Sequence, residues 1–221
     1  AARDPDPGSR TFSWPNLVDI REGASTLEEV AGWRPAEFSL GTEGGGRRVQ
    51  GQYVTANYFD ALGVTPARGR SFAPDEASVP GEHPVVVVSH RFWRNQLGGS
   101  PEAIGSTVRL NRRPLTVVGV AGPDFRGHYV GIPSDVYVPF GMLPTMSDVS
   151  SETLDTRSAS FTQAVGRLAP GATVDDANAE VAGLRWRLVD AHPEANRNKT
   201  ASVMALGPIP GGGRAPALGF L

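Results

Sequence analysis

Cysteine is absent from this 221-residue chain, and lysine nearly so, with Lys199 the single example. The first absence excludes disulfides, thiolate nucleophiles and cysteine-ligated metals. The second leaves arginine carrying the positive charge, which codon usage in a GC-rich genome explains more simply than bidentate anion recognition. Neither sign of charge dominates, since Lys+Arg 21 against Asp+Glu 23 gives a formal net charge of −2. Without a basic surplus, nucleic acid is not an expected partner. Long hydrophobic runs are missing too. The longest purely apolar run, Val85–Val88, falls far short of the roughly 20 residues that cross a bilayer. The two ends, ARDPDPGSR and GPIPGGGRAPALGFL, read as cuts through a longer protein.

What is present is ordinary for a folded chain: 39% hydrophobic and 20% charged residues, enough for one large domain or two lobes with their own cores. Ser13–Val30 is expected as helix, capped by Ser13 with Pro15 in the first turn. Within it, Thr26-x-x-Glu29 reads as a capping box that restarts a helical turn. Ala31–Leu40 and Arg47–Val54 then form a hairpin. Asn57–Leu62 is a short helix stopped by Gly63. Val85–Val88 is a strand buried on both faces, followed by a helix over Ser89–Leu97. Thr107–Leu110 and Leu115–Val120 flank a turn at Asn111–Pro114, and Asp135–Pro139 is another strand. The polar, irregular stretch Met142–Ser158 is expected as a mobile loop or inter-lobe joint. After a strand over Ser160–Leu168, Thr173 and Asp176 start a helix. Its Val174, Ala177, Val181, Leu184 and Leu188 form one apolar stripe. Thr200–Leu206 alternates as a final strand.

The phrases FSWPNLVDIREGASTLEEVAGW, VTANYFDALGVTPARGRSF, VVVVSHRFWRNQLGGSPEAIGSTVRLNRRPLTVVGV, DVYVPF and FTQAVGRLAPGATVDDANAEV occur in an order that resembles the periplasmic core domain of MacB-like ABC transporter permeases. These are relatives of the FtsX and lipoprotein-exporting permeases. The resemblance implies an α+β fold in two lobes. Residues 1–53 and 159–207 would form a porter-like β-α-β lobe, and residues 54–158 an inserted, mostly β, sabre-like lobe. Residues 208–221 would be a linker toward a following transmembrane helix. It further implies an extracytoplasmic, non-enzymatic domain between two membrane helices, with both termini on one face. The partners implied are the rest of the permease and its ATPase, a second copy in a homodimer or pseudo-dimer, and a periplasmic adaptor or substrate protein. ATP hydrolysis in the cytoplasm would drive its motion for export or mechanotransmission. No G-x-x-x-x-G-K-[ST] occurs here, so ATP binding of that kind belongs elsewhere. The runner-up is a secreted or surface module that captures a peptide, lipid or glycan between two lobes.

Chemistry is sparse. His83, His90, His128 and His192 are the only histidines. Pairing His83 with His90, or His128 with Asp135, yields no metal-site spacing. Gly99-Ser100-Pro101 is a turn and not a nucleophile elbow. The glycine clusters 44–46 and 211–213 suit a hairpin tip and a linker better than a phosphate cradle. Glu28-Glu29, Asp75-Glu76 and Asp175-Asp176 suit helix starts or solvated loops. Trp186, between Arg185 and Arg187, is a candidate surface contact. No residue is assigned a catalytic, cofactor-binding or metal-binding role, and no cofactor is expected.

Overall fold

The structure, a computed structural model, describes residues 11–42, 45–128, 133–197, 199–212 and 217–220. Helix α1 (Trp14–Gly23) begins where Ser13 Oγ accepts from the Asn16 N–H at 3.4 Å, with Pro15 in the first turn. It stops well before Val30. Strand β1 (Leu27–Thr42) takes over and runs for 16 residues. The expected helical turn at Thr26–Glu29 therefore does not form. Thr26 spends its hydroxyl on Glu180, at 2.5 Å, and the backbone from Leu27 pairs in a sheet.

The chain then forms β2 (Gly45–Val54), α2 (Tyr58–Ala61), β3 (Arg68–Gly69), α3 (Pro74–Ser78), β4 (Val85–Val88) and α4 (His90–Gln96). There follow β5 (Thr107–Leu110), β6 (Arg113–Val120), β7 (Val136–Pro139), α5 (Leu143–Met146) and α6 (Ser151–Asp155). The chain continues through β8 (Gln163–Leu168), α7 (Val174–Ala191), α8 (Pro193–Asn196), β9 (Val203–Ala205) and β10 (Ala217–Phe220). The fold class is α+β.

The ten strands among the described residues share one sheet, and six of them close on themselves in the order β1-β2-β7-β4-β6-β5 and back to β1. The seam between β1 and β5 is short, with Leu40 opposite Leu110. Asn111 completes it: its N–H donates to the Ser39 carbonyl and its Oδ1 accepts from the Ser39 N–H, both at 2.8 Å. Asn111 and Arg112 form a two-residue turn with φ of 50° and 65°, the left-handed pair that a tight hairpin needs. The turn is thus shorter than the expected Asn111–Pro114, because Pro114 already pairs within β6. Inside the ring, Phe38, Leu40, Tyr53, Val86, Val88, Leu110, Leu115 and Val138 make one core. Val87 and Tyr137 face the other way and pack with Tyr58, Phe59 and Phe125. Burial on both faces is why β4 is an unbroken apolar run.

The first half of β1 belongs to a different neighbourhood. Leu27 to Trp33 pair with β8, and beyond it the order is β10 and then β9. Helices α1 and α7 lie against this part, burying Leu17, Ile20, Val30, Ala177, Val181, Leu184 and Leu218 together. Ala177, Val181 and Leu184 supply the buried part of the apolar stripe, with Val174 and Leu188 at its margin.

Two stretches differ from expectation. Met142–Ser158 contains α5 and α6, and its Leu143, Met146 and Val149 are buried in the ring's core. Its polar residues masked these apolar anchors. Residues 208–221 contain β10, which inserts between β8 and β9 with Ala217, Leu218 and Phe220 buried. Near the two ends of the described chain, the rings of Phe12 and Phe220 meet edge to face with centroids 6.0 Å apart.

Candidate functional site

Trp33 is where the two sheet neighbourhoods meet. It pairs with Gln163 of β8 on one side and Val54 of β2 on the other. Beside it, Gly32 and Thr55 are locked together. The Gly32 N–H donates to Thr55 Oγ1 at 3.1 Å, and the Thr55 N–H donates to the Gly32 carbonyl at 3.0 Å. The fit leaves no space for a side chain, since a Cβ on Gly32 would sit 2.6 Å from Leu17 Cδ2. From Thr55 a polar chain continues through Asn57 Oδ1 at 2.8 Å, and Asn57 donates to Glu29 at 2.7 Å.

On the aromatic side of the same junction, the Trp33 ring meets His128 edge to face at 4.5 Å. The Tyr58 hydroxyl lies 2.8 Å from His128 Nδ1 and 3.1 Å from Gln52 Oε1. One hydroxyl proton serves one acceptor, so when Tyr58 donates to Gln52 the neutral ring carries its hydrogen on Nδ1 and donates in turn. Desolvation pulls the His128 pKa down to about 4. Burial pushes Tyr58 and Tyr137 well above the usual phenol range. Ser134 lies near the Tyr137 hydroxyl, which is buried without a hydrogen bond of good geometry among the described residues.

A second clasp holds α7 to the start of β1. Burial raises the pKa of Glu180, but hydrogen bonds from the hydroxyls and N–H groups of Thr26 and Ser25 outweigh it and hold the carboxyl down at about 2. At the far end of the same layer, Asn16 donates to Asn196 at 2.6 Å. Arg157 donates to Asn16 Oδ1 at 2.9 Å and pairs with Asp19.

Two concavities flank the junction. A groove of about 680 Å³ has Trp14, Ala56, Phe72, Pro74 and Ala77 as its apolar walls, with Arg21, Asp60 and Asp75 around them. It lies between α1, the β2–α2 turn and α3. Trp14 is held in place by stacking on Phe140, at 5.3 Å between centroids. A smaller cavity of about 310 Å³ is lined by His90, Arg91, Phe125, Arg126 and Ser134, among others. Arg91 there is engaged by Asp135 at 2.7 Å.

The polar residues singled out in the sequence are dispersed among structural contacts. His83 faces Asp75 at 3.8 Å, and His90 sits edge-on to Trp93 at 5.2 Å. His128 contacts Tyr58 while Asp135 contacts Arg91, so neither proposed histidine pair is united by these contacts. Glu28 binds Arg167, Glu76 binds Arg70 in a two-pronged pair, and Asp176 caps α7 through Thr173. Among the described residues no group of three His, Cys, Asp or Glu could hold a metal ion. The glycine clusters fall partly outside the described residues. Sequence reasoning missed the groove and the Gln52–Tyr58–His128 cluster, whose members lie far apart in the chain and follow no local motif.

Residues 2–184 match the MacB-like periplasmic core domain. The chain belongs to this family. Solved structures share its fold. The periplasmic region of MacB from Actinobacillus actinomycetemcomitans superposes with a TM-score of 0.63 at 15% identity, covering 87% of this chain and 83% of that one. The extracellular domain of the ABC-type transporter YknZ from Gram-positive bacteria gives 0.61 at 17% identity, covering 87% and 94%. In sequence, the macrolide export ATP-binding/permease protein MacB 1/2 of Paracoccus denitrificans (strain Pd 1222) is 36% identical over 87 residues. That match takes in 39% of this chain and 13% of the relative's length. Among the described residues no helix is long and apolar enough to cross a membrane.

Proposed function

We propose that this MacB-like core domain is a non-catalytic relay on the outer side of the membrane, tethered by flanking transmembrane helices in a MacB/FtsX-type permease. Residues 1–53 and 159–207 act as the porter-like lobe and residues 54–158 as the sabre-like lobe, joined through β2, which pairs with β1 of the first and with β7 of the second. Two such domains, in a homodimer or pseudo-dimer, shift as ATP is bound and hydrolysed in the cytoplasm, for export or mechanotransmission. An adaptor or substrate protein receives the movement.

The observation that carries this reading is β1, a single 16-residue strand that is both a member of the α7-backed sheet and a wall of the closed ring. At about 3.3 Å per residue it reaches roughly 50 Å, and a continuous strand held by β8 along its first half and by β2 along its second transmits displacement with little loss. The meeting of Phe12 and Phe220 also fits a domain hung between two membrane spans.

The chain itself contributes no cysteine, so within it a spin label goes only where a cysteine is introduced. In the full permease with its ATPase, labels at Glu37 and Glu194 should keep a fixed distance within one domain. Label-to-label distances between the two domains should change between nucleotide-free and ATP-trapped states. Unchanged interdomain distances in an actively hydrolysing transporter overturn the relay. The groove of about 680 Å³ favours a second reading, a module that captures a peptide, lipid or glycan. Full-length sequence separates the two, since flanking apolar segments of about 20 residues belong to the permease alone.

A further inference from the structure

Helix α7 is apolar on two sides. Its inner stripe, Ala177, Val181 and Leu184, is buried against the sheet. Half a turn away at 3.6 residues per turn, Trp186 projects outward and is 60% exposed. Ala182 and Val189, on the same outer side, are only partly covered. Trp186 and Met204 are the most exposed large hydrophobic residues described, and an exposed tryptophan is the kind of side chain that anchors interfaces. It is flanked by cations. The Arg185 guanidinium lies over its ring at 4.8 Å, and Arg187 is exposed, with no hydrogen bond or ion pair among the described residues.

The complement of this knob lies elsewhere on the same chain. The groove walled by Trp14, Phe72, Pro74 and Ala77 is apolar, and at about 680 Å³ it is roomy enough for an indole. Its rim carries the carboxylates of Asp60 and Asp75, the latter also facing His83 at 3.8 Å, against one guanidinium, Arg21, which itself leans toward Glu22 at 3.8 Å. Shape, polarity and charge thus match an aromatic residue flanked by arginines.

We propose that two copies of this chain pair by seating Trp186 of each in the groove of the other, with Arg187 facing Asp60 and Asp75. Reciprocal seating makes a two-fold pair that closes on itself, whereas a single contact would propagate into open chains. One tryptophan buries about 150–250 Å², so even two such contacts make an interface below standard size. Association is therefore weak in free solution and strong when membrane tethers raise the effective concentration to about the millimolar range. The pairing deepens the two-domain part of the proposed function and rests on it only for that tethering.

The cysteine-free chain allows a direct test. Two single-cysteine proteins, Arg187→Cys and Ala56→Cys, are mixed in equal amounts at about 1 mM, the concentration a short tether supplies, and oxidised gently. The mixed 56–187 disulfide should exceed both like-with-like products several-fold. Adding Trp186→Ala to the Arg187→Cys partner should return the yield to the statistical level. Trp186→Phe should keep part of the excess. Unchanged thermal melts of the exposed-site variants show that they remain folded. A statistical mixture of products overturns the pairing, and so does an excess that survives Trp186→Ala. Because this measurement uses the chain without membrane or ATPase, its failure leaves the permease relay standing. Failure of the distance test likewise leaves the cross-link result intact.

Discussion

At Asn111 the backbone adopts a φ of 50°, a region that costs most residues about 1–2 kcal/mol, and the side chain closes the ring from there. Its Oδ1 accepts from Ser39 and its Nδ2 donates to the Met146 carbonyl at 3.0 Å. Asn111→Ala loses both bonds and keeps the strained backbone, so it should cost about 2–3 kcal/mol in urea unfolding. Asn111→Gly relieves the backbone and should cost about 1 kcal/mol less than alanine. Equal losses for the two would show that the side-chain bonds, not the backbone of the turn, carry the whole effect. His128 offers a pH-dependent counterpart. Its folded pKa of about 4 lies below the 6.5 of an unfolded histidine, so the unfolded chain takes up the proton first. Stability should be level above about pH 6.5 and fall as the pH drops toward 4. A full shift of this size corresponds to about 3 kcal/mol. The ring is partly exposed, so about half of that is expected. His128→Gln should flatten the pH profile in this window, and an unaltered slope would mean that the ring is solvated in the fold.

At the scale of elements, α7 and β1 are joined by a contact that depends on ionisation. Glu180 accepts four hydrogen bonds from Ser25 and Thr26, and its pKa of about 2 lies below the ordinary 4.5. The carboxylate's contribution is complete above about pH 4.5 and disappears as the pH falls toward 2. Glu180→Gln should therefore cost about 1 kcal/mol near neutrality, after allowance for screening at a partly exposed site. The gap between the variant and the parent should narrow as the pH falls from about 4.5 toward 2, read by chemical denaturation. A gap that persists unchanged into acid would assign the effect to packing. Helix α7 itself was legible in the chain because its start and its apolar period are local signals. So were β4, from Val85–Val88, and the turn at Asn111. The failures share a cause. Thr26 and Glu29 spell a capping box, yet Thr26 serves Glu180, 154 residues away. Residues 217–220 look like the end of a linker until β8 and β9 supply partners on both sides. Leu143 and Met146 are too few, among serines and threonines, to announce a core segment. The groove was invisible for the same reason: Trp14, Phe72 and Asp60 converge only after the sheet has closed.

For the whole molecule, the question is whether the ring and the α7-backed sheet behave as one body. Each has its own core, built from different residues, which taken alone favours independent unfolding. Against this, β1 is common to both, and Gly32 and Thr55 bind the two at its midpoint. A shared strand cannot melt on one side without exposing the other's edge, so a single cooperative transition is expected. Tryptophan fluorescence samples both regions, with Trp93 in the ring's core and Trp14 and Trp33 near the junction. It should follow the same urea curve as far-ultraviolet circular dichroism. Gly32→Ala tests the cause. Its added methyl would meet the side chains of Leu17 at 2.6 Å, Thr162 at 3.0 Å and Thr55 at 3.2 Å, so all three must give way where α1 and the β2–α2 turn pack on β1. Overpacking of this kind costs about 1–3 kcal/mol, and here the loss falls on the joint and not on either core. The two probes should then separate, the ring outlasting the α7-backed sheet. If the variant is destabilised but its curves still coincide, the coupling lies in the paired length of β1 and not in the Gly32–Thr55 lock. If the parent's own curves already separate, β1 does not weld the two parts, and the rigid relay proposed for this domain loses its mechanical basis.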